Sequence, residues 1–258
     1  MGSILIRGAK LADPEKICCE RLDLLCRNGV IEKIEKNIQD PADKTVDAQS
    51  LALLPGLVDM HVHLRDPGLT YKEDVFTGCR AAAAGGVTSL LAMPNTKPPM
   101  DSPALVEELL QRAESACCRV YPAVCITKGM KGEELAPFME LQKAGAVALT
   151  DDGRPVENSL LMARAMKEAA SLAHSLGKKI YVTCNTLPRN DELDALPDFL
   201  ESCEAAGADA LIISDLGVLR AGGQRKRGYS QGNRAGGILW RPDSYLPCEH
   251  GGERRHDP

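Results

Sequence analysis

From residue 56 onward, short apolar runs rich in Val, Leu and Ile alternate with longer stretches of helical period, and this alternation limits the fold more than any other feature. Strands are expected at 58–61, 87–92, 120–126, 146–150, 179–184 and 210–214. Helices are expected between them at 73–84, 102–116, 133–144, 159–176 and 192–206. Gly85-Gly86 supplies a left-handed stop to the first helix, and Ser102-Pro103 a cap and first turn to the second. Strands that alternate with helices at this spacing form a parallel sheet, and closure into a (β/α) barrel is the leading architecture. The expected class is therefore α/β, a TIM-type barrel that is incomplete because the pattern supplies too few strands to close.

Residues 1–55 differ in texture. Short strands at 4–6, 23–26, 30–34 and 45–47 with turns between them indicate a small, sandwich-like N-terminal β unit. After Arg220 the periodicity stops, and residues 220–258 are rich in Gly and Arg, as expected of a disordered tail. A net charge of −5 and 3% aromatic residues argue against a nucleic-acid surface. No apolar stretch approaches the roughly 18 residues of a membrane span, and no signal-peptide pattern opens the chain. Ten cysteines are scattered without a CxxC spacing, mostly inside apolar runs, which fits a reduced cytoplasm.

Chemistry enters with His61-Val-His63, inside the run Leu57-Val-Asp-Met-His-Val-His-Leu-Arg-Asp-Pro-Gly68. Side chains two apart on a strand share a face, so both imidazoles can converge on one metal ion. Taken alone, the pair suits two ordinary histidines on a half-buried strand better than a metal site. Four neighbours change the weighting: Arg65, the Tyr71–Asp74 run, Asn95 in Met93-Pro-Asn-Thr, and Asp151-Asp152-Gly153, each at the expected end of a strand or start of a helix. Two imidazoles and a carboxylate suit a divalent metal, whereas a guanidinium and an amide suit a substrate carboxylate. Alone, the acidic pair also fits a helix cap and Asn95 a turn.

Together the strings PGLVDMHVHLRDPG, YKED, AAAAGGVT, AMPNTKP and ALTDDG resemble the dihydroorotases of the amidohydrolase superfamily, in the bacterial class with a binuclear zinc site. Allantoinases and hydantoinases share the HxH and AAAAGG strings but look less like this chain at HLRDPG and MPNT. The resemblance implies zinc-dependent, reversible opening of the cyclic amide of dihydroorotate to N-carbamoyl-aspartate, a step of pyrimidine biosynthesis. It implies His61 and His63 as zinc ligands, and a bridging carboxylate at Asp152 with Asp151 as second candidate. It assigns Arg65 and Asn95 to the substrate carboxylate. A homo-oligomer or an assembly with aspartate transcarbamoylase would be the partners.

The resemblance covers residues 2 to about 173, so the partial barrel is assigned to 56–173. The family's fifth strand carries His-Cys-Glu-Asp, where this chain has Ile180-Tyr-Val-Thr-Cys-Asn-Thr186, and the family's later histidines and catalytic aspartate have no counterpart. Impaired activity is therefore expected, or a role limited to binding and assembly. Residues 174–219, through YVTCNTLPRNDEL, are similar instead to the collagenase-like peptidase family. The chain reads as a composite.

Overall fold

A computed structural model describes residues 2–12, 19–184 and 193–213. The chain opens with β1 (Ser3–Ala12), β2 (Cys19–Arg27), β3 (Val30–Glu35), β4 (Lys44–Asp47) and β5 (Ala52–Leu53). These form one sheet in the order β3-β2-β1-β4, with β5 also on β1. β1 runs antiparallel to β2 and parallel to β4 and β5. The β1–β2 register shifts between Ile6 and Ala9, where Gly8 takes φ +66°. That left-handed conformation favours glycine at the bulge. Asp23 holds the bulge closed: its buried carboxylate accepts from the Gly8 N–H at 2.7 Å and the Ile38 N–H at 3.0 Å. Leu5, Leu25 and Ile38 pack beneath it.

Beyond this sheet the alternation expected from the sequence is present. β6 (Leu57–Val62) leads to α1 (Val75–Ala84), β7 (Val87–Ala92), α2 (Pro103–Ala113) and β8 (Arg119–Val124). Then come α3 (Phe138–Lys143), β9 (Ala148–Leu149), α4 (Ser159–Ser175), β10 (Tyr181–Cys184), α5 (Leu196–Ala205) and β11 (Ala210–Ile213). Asp74 caps α1 by accepting from the Phe76 and Thr77 N–H groups, while the Thr77 hydroxyl answers the Asp74 N–H. Gly86 at φ +80° ends the helix. Ser102 takes the N-cap position of α2 without a capping hydrogen bond from its side chain.

The third helix is shorter than the expected 133–144. The Thr127–Leu135 bridge holds the preceding segment extended, and Pro137 blocks helix N-terminal to Phe138. The end of the chain, including 220–258, lies outside the described residues.

β6, β7, β8 and β9 form an open parallel sheet in that order, and β10 and β11 form a separate parallel pair. Among the described residues no ladder joins β9 to β10. Against the helix-facing side of the four strands, Leu64, Val75, Leu90, Val106, Val120, Val124, Phe138 and Leu141 build the main core. α4 extends it through Ala165 and Ala169. The same helix reaches the β10–β11 pair, because His174 Nε2 lies 2.9 Å from Asp209 Oδ2, which also accepts from the Ile180 N–H. Both contacts hold the Asp209 carboxyl below its usual range. His174 stands in the last turn of α4.

Buried cysteines behave as small apolar groups: burial pushes the Cys79 and Cys203 thiols up to about 11 and Cys125 to about 12. No helix among the described residues is long and apolar enough to cross a membrane.

Two consequences follow for stability. Replacing Asp23 with Ala leaves two backbone donors without their acceptor, and is expected to destabilise the N-terminal sheet by about 2 kcal/mol, read as a lowered midpoint in urea. Among the described residues β6 is an edge strand of the parallel sheet, and its Leu57, Val58 and Met60 are all more than half exposed. Val58→Lys, at a position 62% exposed, is expected to reduce self-association in light scattering while leaving the melting midpoint within about 1 °C.

Candidate metal centre

All four parallel strands end on one rim, and the loops that follow them are tied to each other in turn. The Lys97 N–H donates to Pro67 O at 3.0 Å, joining the loop after β7 to that after β6. The Cys125 N–H donates to Met100 O at 2.9 Å, and the Gly129 N–H to Asp101 Oδ2 at 2.7 Å, joining β8 to β7. Asp151 then joins β9 to β8. Its Oδ1 accepts from the Ile126 N–H at 2.8 Å and the Thr127 N–H at 3.2 Å, and its Oδ2 from the Thr127 hydroxyl.

The contact at Gly68 shows how close these loops lie. Its φ is +84°, and a Cβ there would stand 1.7 Å from Lys97 O. Asp66, two residues earlier, is buried and faces Arg112 of α2 at 2.8 Å (Oδ2 to Nη2). That oxygen receives no aligned hydrogen bond, so the contact acts through charge.

His61 is in the last turn of β6's pleat and His63 just past its end. Their rings meet edge to face, 5.1 Å between centroids. Asp152 approaches from the loop after β9: Oδ1 is 3.5 Å from His61 Nε2 and Oδ2 is 3.5 Å from His63 Nε2. The three side chains offer one donor atom each within 4.8 Å of one another.

Asn95 braces this group. His63 Nδ1 lies 2.8 Å from Asn95 Oδ1, and Asn95 Nδ2 donates to Asp152 Oδ2 at 2.8 Å. The carbonyl oxygen of Asn95 can only accept, so Nδ1 of His63 carries a proton and, in the neutral ring, Nε2 is the lone-pair donor. Arg65, at φ +59°, donates through Nη1 to the Asn95 carbonyl oxygens at 3.3 and 3.4 Å.

Of the six residues the sequence singled out, the structure thus brings His61, His63, Asn95, Arg65 and Asp152 to one place. Asp151 faces the other way, into the β8 loop. Thr127 was not singled out, since an isolated Thr in a loop carries no pattern. Its role follows from contact with a residue distant in sequence.

The donor set fits a tetrahedral divalent ion. Ligands at about 2.0–2.1 Å from such an ion stand about 3.4 Å apart, close to both histidine–carboxylate separations of 3.5 Å. The second nitrogen of His63 is held by a neighbouring amide, as metal-binding imidazoles require.

The family model described as dihydro-orotase-like matches residues 51–190. A second model, peptidase family U32, matches residues 154–227, over the segment that the sequence set apart. The dihydroorotase of Aquifex aeolicus (strain VF5) is 46% identical over 232 residues, covering 86% of this chain and 54% of the relative. That of Geotalea daltonii is 50% identical over 172 residues, covering 66% of this chain and 40% of the relative. The chain therefore spans about half, or less, of the length of these relatives.

Among solved structures, D-hydantoinase from a Bacillus sp. AR9 superposes with a TM-score of 0.63 at 18% identity, covering 88% of this chain and 56% of that one. A dihydroorotase superposes with a TM-score of 0.53 at 15% identity, covering 87% and 70%. At such identities the likeness concerns the fold alone. With the match over residues 51–190 and an HxH strand end meeting the DDG loop, the chain belongs to the dihydroorotase-like family.

Proposed function

We propose that the chain carries a dihydroorotase-type cyclic amidohydrolase centre in which His61, His63 and Asp152 hold one zinc ion. In the same reading, Arg65 and Asn95 receive the carboxylate of dihydroorotate. The observation behind it is the convergence of three donors from two strand ends, with His63 Nε2 left free by the Asn95 contact.

When bound, zinc supplies Lewis acidity toward a cyclic-amide carbonyl and makes a water molecule a better nucleophile. The residues of the chain supply orientation. Asn95 fixes both the ring of His63 and the carboxylate of Asp152, so two donors are set by one amide. Arg65 uses Nη1 for Asn95, and the rest of its planar fork matches a carboxylate, holding the substrate beside the donors. The rim is a strand-end site with His61 half exposed, open to a small cyclic substrate.

Three donors among the described residues serve one ion, whereas the family resemblance implies two. We therefore read the centre as metal-binding but slow in turnover. Metal analysis after dialysis is expected to find one zinc per chain, lost in His61→Ala, His63→Ala and Asp152→Ala. Two tightly held ions, or equal retention by His61→Ala, would contradict the assignment.

Arg65 and Asn95 separate ligand binding from metal binding. Arg65→Ala is expected to weaken N-carbamoyl-aspartate in calorimetry by about tenfold with zinc content unchanged. Asn95→Ala, which frees His63 and Asp152, is expected to lower zinc affinity itself by about 10–100-fold. Full zinc affinity in Asn95→Ala would show that the amide serves the substrate only.

A further inference from the structure

We infer that Asp151 and Thr127 form a positioning clamp that aims Asp152 at the two histidines. This rests on the reading of His61, His63 and Asp152 as a metal centre, and assigns the first aspartate of the DDG turn a task distinct from coordination.

Asp151 leads directly from β9 into the turn that carries Asp152, so the direction of Asp152 depends on where Asp151 is anchored. Asp151 is anchored firmly. It is only 7% exposed, and three donors from the β8 loop converge on its carboxylate: the Ile126 N–H, the Thr127 N–H and the Thr127 hydroxyl. These contacts use both oxygens and point them away from the cluster.

Thr127 is itself immobilised, with no exposed surface. Its hydroxyl accepts from the Gly132 N–H at 3.0 Å, and its carbonyl accepts from the Met130 N–H at 3.0 Å. The bridge to Leu135 closes the loop behind it. The anchor is thus a short, internally bonded loop at the end of the neighbouring strand, not solvent-exposed chain.

From this anchor the turn is completed locally. The Arg154 N–H donates to Asp151 O at 2.8 Å, and Gly153 takes φ +78° at the third position. A turn of this kind leaves its second residue, Asp152, at the tip with its side chain free to leave the sheet. The tip carboxylate then meets His61, His63 and Asn95. Asp151 and Thr127 touch none of the donors. They act through the position of Asp152.

Zinc affinity distinguishes this role from a merely structural one. Zinc is titrated into the full chain against a chromogenic chelator, and the melting midpoint is measured separately on the zinc-free protein. Thr127→Val keeps the shape of the side chain and removes its hydroxyl; it is expected to weaken zinc by roughly tenfold, while Thr127→Ser stays within about twofold of the unsubstituted chain. Should Thr127→Val fail to fold, Asp151→Asn serves in its place. It keeps an acceptor for the two N–H groups but puts an N–H donor against Thr127, which leaves the hydroxyl proton without its acceptor, and a loss of several-fold in zinc affinity is expected.

Folded Thr127→Val and Asp151→Asn chains with unchanged zinc affinity would overturn the clamp even if their melting points fell. Zinc binding lost in His61→Ala would at the same time leave the reading of the centre intact. Zinc bound equally by the unsubstituted chain and His61→Ala would remove that reading, and the clamp with it.

Discussion

The parallel register of β6, β7, β8 and β9 is the constraint from which the rest of the molecule follows. Val58 lies opposite Ser89, Ser89 opposite Arg119, and Ala123 opposite Ala148, so the four strands stop along a common line. In a parallel sheet each return connection must cross back over one face, and α1, α2 and α3 do so. Their apolar sides and the sheet then share one core, whose Leu90, Val106, Val120 and Phe138 cannot move without shifting the strand ends. The loop-to-loop hydrogen bonds from Pro67 to Asp151 convert this common line into a stiff rim.

Much of this is legible in the sequence because it is periodic or local. The i, i+2 spacing of His61 and His63 fixes their shared face, and Asp74 with Thr77 writes its cap within one turn. Features that depend on pairing between distant segments are not legible. The interruption between β9 and β10 has no local mark, since the β9 ladder contributes only Ala148 and Leu149. Which of Asp151 and Asp152 enters the site is equally silent in the sequence. Two identical side chains stand next to each other, and the choice is made by N–H groups at Ile126 and Thr127. The start of α3 was legible in principle, because Pro137 stands where a longer helix would need a backbone donor.

α4 has an unusual place in this architecture. It lies within both family matches, which share residues 154–190. Ala165 and Ala169 pack into the core of the four-stranded sheet, while Ala170 lies 3.3 Å from where a Cβ on Gly207 would sit, at the end of α5. Small residues on successive turns let one helix serve two partners at close range. The composite character of the sequence thus has a structural counterpart: a helix with an alanine face compatible with either neighbour.

The chain of loop contacts also follows the order of the sequence. His61 and His63 come first in the sequence, Asn95 next, then the Thr127 anchor, and Asp152 last. The loop-to-loop backbone contacts each join a strand end to the one before it, while Asp152 reaches back past them to His61, His63 and Asn95. Nascent chain that has emerged through Asp152 already contains every donor of the cluster and the clamp that aims it.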